Sequence, residues 1–181
     1  MPRLSTMKKI TGLFTFLMLA LLANVSRAQS ADQMIKDWER AKTYTLHYLE
    51  AMPEDGYSFK PTPEMRTFAG HMLHFTDANF ELASLAGGLK SPIAPGDAEK
   101  MTDKSKAATI KIVMEGYDFV ISNIKNMKPE QFQDTIKVFD KYVMTKGVLL
   151  TKIFEHQTHH RGQTTVYFHL KGVKPPNEEL F

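Results

Sequence analysis

Near its C-terminal end the chain reads His156-Gln157-Thr158-His159-His160-Arg161-Gly162-Gln163. His156 and His160 stand four residues apart. On a helix that spacing stacks two rings on one face, one turn from each other. Neutral imidazole is the commonest metal ligand among side chains. The chemistry this suggests is a divalent metal held by nitrogen donors and completed by a third ligand from a facing element. The chain has no cysteine. Disulfides, a thiolate nucleophile and a Cys-type zinc site are therefore excluded, as is lipid anchoring through a cleavage-site cysteine. Any metal site must be built from His, Asp, Glu and water.

The elements that position these residues read as helices separated by breakers. The first spans about Ala31 to Met52, with Trp38, Ala41, Thr45, Leu49 and Met52 on one face, and stops before Pro53-Glu54-Asp55-Gly56. The second is expected to begin after Thr62-Pro63, an N-cap followed by proline at the first helical position. It runs to Ala86, where Gly87-Gly88 ends it, and its stripe includes Phe68, Phe75, Ala78, Leu82 and Leu85. After a loop with Ser91-Pro92 and Pro95-Gly96, a third covers Thr102 to Met127, with Ile110, Val113, Met114, Tyr117 and Ile121 as core candidates. The segment Lys128 to Met144 is ambiguous, since Gln131 to Phe139 reads equally as a short helix or an extended crossover. The fourth helix starts near Thr145 and ends at Leu170, before Gly172 and Pro175-Pro176. Four long helices with one apolar stripe each predict an all-α, up-down four-helix bundle.

A helical wheel sorts the histidines by face. On the fourth helix His156 and His160 fall within the stripe set by Leu149, Ile153 and Tyr167, with Gln163 beside them. His159 lies at the margin and His169 points outward. His47 lies opposite Trp38 and faces solvent. On the second helix His71 sits nearer the apolar centre than His74, so the wheel mildly favours His71 as the third donor. A lone buried histidine is more often a hydrogen-bonded core residue than a ligand. Two imidazoles and a glutamine on one buried stripe are harder to satisfy that way, at about 1–3 kcal/mol for each group left unpaired. A shared metal would satisfy several together.

Residues 1–28 stand apart from this pattern. Arg3, Lys8 and Lys9 form a positive start, Ile10 to Val25 is almost wholly apolar, and Ser26-Arg27-Ala28 offers small residues at the −3 and −1 positions before Gln29. That is the pattern of a secretory signal peptide. The apolar run, about 16 residues, is shorter than the ~20 a spanning helix needs. The expectation is a cleaved leader and an exported protein, periplasmic or extracellular, with no stable membrane anchor and a single domain over residues 29–181. The whole chain has 23 basic and 20 acidic residues; four of the basic ones (Arg3, Lys8, Lys9, Arg27) lie in the leader, leaving 19 against 20. The basic excess belongs to the leader, so nucleic acid is not an expected partner.

Two stretches carry a family likeness. They are Arg66-Thr67-Phe68-Ala69-Gly70-His71-Met72-Leu73-His74-Phe75-Thr76-Asp77-Ala78-Asn79 and His156 through Gln163. On these the chain resembles the DinB/YfiT-like superfamily of four-helix bundles, from about Ala31 to Lys174. The resemblance implies a three-histidine metal site. Its first ligand is the histidine opening an H-x-x-D-A-like run, here His74, and the other two are His156 and His160. His159 becomes the non-ligand between them, and the choice of His74 overrules the wheel. The resemblance also makes a homodimer an option.

Three ligands leave a coordination position open, which is the arrangement of catalytic rather than structural zinc. Zinc is the default for a His-only site, and nickel, iron or manganese would also fit. The leading expectation is a metal-dependent hydrolase that uses metal-bound water on an unknown small-molecule substrate. Gln163, Asp77 and Glu81 are the candidates to assist, a carboxylate near the metal being suited to act as base; Asp77 and Glu81 read equally as solvated surface charges. One rival is a metal-dependent thiol S-transferase, which would need an external thiol. Another is a non-catalytic metal-binding or stress-related helical module.

Overall fold

Four helices carry the fold in the computed structural model, which describes residues 31–181. The expected leader, residues 1–28, lies outside the described residues. Helix α1 covers residues 31–51, α2 Phe68–Gly87, α3 Lys106–Asn126 and α4 Lys146–Leu170. Trp38, Ala41, Thr45, Leu49 and Met52 are all buried, as the periodicity of α1 predicts. Phe68 and Phe75 of α2, Val113, Tyr117 and Ile121 of α3, and Leu149, Ile153 and Tyr167 of α4 complete the core. No helix among the described residues is long and apolar enough to cross a membrane.

Local chemistry sets the helix starts. Helix α2 begins at Phe68 rather than Pro63, because Thr67 is the side chain that caps it, accepting from the Gly70 amide at 2.9 Å. Thr62 instead closes a turn, its carbonyl accepting from the Met65 amide. Gly88, at φ 87°, supplies the left-handed residue that ends α2. Helix α3 starts at Lys106 rather than Thr102, with Ser105 as the capping residue. Helix α4 starts beside Thr145, as expected, and the Thr145 side chain caps it.

The ambiguous segment is neither a single helix nor a plain crossover. Pro129–Gln133 makes a short 3-10 turn. It leads into an antiparallel hairpin of β1 (Thr135–Val138) and β2 (Tyr142–Thr145), in which Thr135 pairs with Thr145 and Val138 with Tyr142. The protein is thus mostly helical with a small two-stranded sheet.

Contacts between helices fix their directions, and these correct the expected alternating order. Along α1 and α4, Trp38 meets Phe154, Thr45 meets Arg161 and Tyr48 meets Thr165, so both run the same way. Along α2 and α3, Phe75 meets Tyr117, Phe80 meets Phe119 and Gly87 abuts Asn123, so they also run together. Helices α2 and α4 are antiparallel, His71 facing His160 and His74 facing His156. The order is therefore up-down-down-up. Two parallel neighbours cannot be joined by a tight turn, and residues 88–105 form the long crossover between them.

Candidate metal centre

The antiparallel pairing of α2 and α4 builds the site. One turn of α2 carries His71 and His74 and one turn of α4 carries His156 and His160, so four imidazoles meet between the two helices. Ring centroids lie 4.6 Å apart for His74 and His160, 4.6 Å for His156 and His160, and 5.0 Å for His74 and His156. One nitrogen from each of His74, His156 and His160 lies within 4.8 Å of the others. These are the three residues that the resemblance selects. His159 is exposed, as are His169 and Gln163. His47 stays at the surface and pairs with Glu179 at 2.6 Å.

Burial keeps His156 and His160 neutral. The His160 pKa falls to about 3, first because its ring is desolvated and then through the positive potential of His156, His74 and His71. His156 falls to about 4 for the same leading reason, with His74, His159 and Arg66 adding to it. Imidazoles that resist protonation keep their lone pairs for a cation. His156 Nδ1 is also buried with no hydrogen-bond partner, an orphan that a bound ion in this cluster would relieve. Donor type, charge state and the orphaned nitrogen all fit a divalent metal.

His71 is not left idle. Its Nε2 lies 2.9 Å from the Tyr167 hydroxyl, and its Nδ1 lies 3.0 Å from His160 Nδ1. The end of this chain decides its polarity. The Tyr167 hydroxyl donates to the Arg66 carbonyl at 2.6 Å, and a carbonyl can only accept. The hydroxyl oxygen therefore accepts from His71 Nε2–H. Burial holds His71 neutral, its pKa lowered to about 4, so its Nδ1 accepts from His160 Nδ1–H. That leaves the lone pair of His160 on Nε2. The wheel placed His71 correctly in the core, where it supports His160 instead of joining the three-nitrogen cluster.

The three expected helpers lie outside the cluster of nitrogens. Asp77 is buried, and its carboxylate oxygens accept from the backbone amides of Ala98 at 3.0 Å and Glu99 at 2.8 Å. It is neither a solvated charge nor an unengaged base. Glu81 is half-buried and lines a cavity of about 290 Å³ with Asp77, Phe80 and the 91–95 stretch, none of the three histidines taking part. The wheel put Gln163 in the buried stripe, but Gln157 is the buried glutamine, accepting from the Tyr117 hydroxyl and from Arg161.

The sequence reading missed Glu99 and gave Arg66 no role. Glu99 Oε1 contacts His74 Nδ1 directly, and Arg66 lies 3.7 Å from the other Glu99 oxygen and 3.2 Å from His74 Nδ1. Nothing periodic marks Glu99, which stands in the crossover far from either motif.

A helical bundle with a three-histidine cluster between two antiparallel helices defines a class of possible metalloproteins, and comparison with known proteins places the chain within it. The DinB family model matches residues 27–180, and the chain belongs to the DinB family. The structure is similar to that of a DinB-like protein from Bacillus cereus ATCC 10987, with a TM-score of 0.71 and 18% identity over 81% of this chain and 96% of that one. It is also similar to a DinB-like protein from Bacillus subtilis, with a TM-score of 0.61 and 16% identity over 82% of this chain and 96% of that one. No curated protein matches the chain.

Proposed function

We propose that this chain is an exported metal-binding enzyme that hydrolyses a small-molecule substrate at the site formed by His74, His156 and His160. The observation that carries the reading is the convergence of three imidazole nitrogens within 4.8 Å, with no fourth His, Asp or Glu in the cluster among the described residues. Three donors without a fourth leave a position for substrate or water. A divalent ion bound there would supply Lewis acidity, lowering the pKa of a coordinated water or polarising a carbonyl. The chain's own residues would do the rest. His74 and His156 are only half-buried, so the cluster has a side open to a ligand. Arg66, with its side chain 43% exposed beside His74, offers a guanidinium donor for a substrate oxygen.

Export is supported by the leader pattern of residues 1–28 and by a family match that begins at residue 27. Zinc is the proposed metal, as the default for an all-imidazole donor set. A homodimer is proposed by family analogy, and size-exclusion chromatography of the mature chain checks it.

Single substitution of His74, His156 and His160 to Ala, followed by elemental analysis, tests the site. Each is expected to abolish stoichiometric metal, and full retention in all three overturns the metal reading. Zinc-loaded wild type is then assayed on a panel of simple esters and amides. Turnover that disappears in His156→Ala supports hydrolysis, and its absence across the panel while metal is retained favours a non-catalytic module.

A further inference from the structure

We propose that the α2–α3 crossover is a clasp for the metal centre, in which Asp77 seats the crossover and Glu99 holds His74 by its Nδ1–H, turning Nε2 toward a metal. The geometry stands by itself, and the purpose rests on the metal-binding reading. Asp77 lies on α2 one turn beyond His74, and both of its oxygens are taken by consecutive crossover amides, Ala98 N–H and Glu99 N–H. A carboxylate accepting two backbone N–H groups is a strong, charge-assisted anchor. The Ala98 side chain beside it is 1% exposed, so the crossover is seated by packing as well. From that seat the Glu99 carboxylate reaches His74 Nδ1.

The hydrogen between Glu99 and His74 has one available owner. A carboxylate offers only acceptor oxygens, so in this contact His74 Nδ1–H is the donor. Arg66 Nη2, 3.2 Å from the same nitrogen, can only donate, and a protonated Nδ1 gives it nothing to donate to. Arg66 instead balances the charge of Glu99. The lone pair of His74 is then on Nε2, as the Tyr167–His71 chain places that of His160. The crossover reinforces its own seat, with Ala94 N–H donating to Asp97 and the Lys104 ammonium to the Glu99 carbonyl. Glu99 is a positioning residue, because it acts through His74 and lies outside the three-nitrogen cluster.

The test uses the mature chain with ¹⁵N-labelled histidine and two variants, Glu99→Gln and Asp77→Asn. In metal-free wild type the His74 nitrogens are expected to report an Nδ1–H tautomer. Glu99→Gln, which can present either a carbonyl or an amide, should give a mixture. Asp77→Asn should move the tautomer the same way and speed exchange of the Ala98 and Glu99 amides. Zinc affinity, measured by chelator competition, should weaken about 10–100-fold in Glu99→Gln, the usual effect of removing a partner behind a ligating histidine. Metal-free unfolding of each variant shows that the fold is intact. An Nε2–H tautomer in wild type overturns the clasp, as does an unchanged tautomer and zinc affinity in Glu99→Gln. Wild type that fails to bind zinc overturns the metal reading instead, and the tautomer measurement still decides the clasp.

Discussion

His160 and Gln157 lie within one turn of α4, and both are tied to a buried tyrosine, yet the two tyrosines should have different readouts. Tyr167 ends the chain that sets the His160 tautomer, through His71. Tyr117 belongs to a separate network, bonded to Thr45 at 2.6 Å and Gln157 at 2.7 Å, with Arg161 donating to both partners. Removing either hydroxyl leaves a buried partner short of a hydrogen bond, at about 1–3 kcal/mol. Tyr167→Phe and Tyr117→Phe should therefore both lower stability in urea unfolding. Only Tyr167→Phe should weaken zinc binding, by about 10-fold, because it alone frees His71 to change tautomer. Equal zinc affinity in the two variants would show that His71 does not position His160. The tyrosine pair also shows why Gln163 was misplaced by the wheel. Helix α4 buries Gln157, Arg161 and Thr164 alongside its apolar residues, so its inner face has little hydrophobic contrast. A wheel centred on His156 then points about one residue away from the true centre.

At the scale of elements, the sequence carried most where caps and apolar repeats agree. Thr145 and Gly88 were visible as the start of α4 and the stop of α2, and Trp38 to Met52 as one buried stripe. It carried least where two signals compete for one role. Thr62-Pro63 has the N-cap pattern, but Thr67 is the residue that caps α2, while the Thr62 carbonyl closes a turn on the Met65 amide. The connection after α3 was unreadable for a related reason, because its hairpin turn is marked by Asp140 alone, with no Gly, Asn or Pro beside it. Phe139 and Asp140 take φ of 51° and 52°, the left-handed region where asparagine and glycine are at ease and a large side chain is not. The Lys141 amide closes the turn on the Val138 carbonyl at 3.1 Å. Phe139→Asn with Asp140→Gly should relieve this, since Phe139 is 63% exposed and loses little packing. The double variant is expected to stabilise the hairpin by about 1 kcal/mol, read as slower amide exchange across β1 and β2. Faster exchange would mean that Phe139 contributes packing that outweighs its backbone strain. Parallel pairing of α2 and α3 was equally invisible, since helix periodicity carries no direction. That unread crossover is the element that brings Glu99 to His74.

For the whole molecule, three imidazoles that resist protonation, two buried and one half-buried, tie stability to pH. His71, His156 and His160 have folded-state pKa values near 4, 4 and 3, each lowered from 6.5 chiefly by burial. The unfolded chain therefore takes up these protons first as pH falls. Their contribution is intact above about pH 6.5, declines between 6.5 and 4, and levels off below about 3. Each group costs on the order of 1 kcal/mol per pH unit within that window. Arg66 adds to the effect on His71 and His156, and Glu99 opposes it at His156. A bound metal acts on the same equilibrium from the other side, because protons and metal compete for the same lone pairs. Zinc at 100 times its dissociation constant should add about 2.7 kcal/mol to stability, seen as a raised Tm at pH 7.5. That increment should shrink as the pH is lowered through 6 and 5, while the metal-free protein loses stability over the same range. In His156→Gln both slopes should flatten together. A zinc-dependent rise in Tm that stays constant from pH 7.5 to 5 would place the metal on groups other than these histidines.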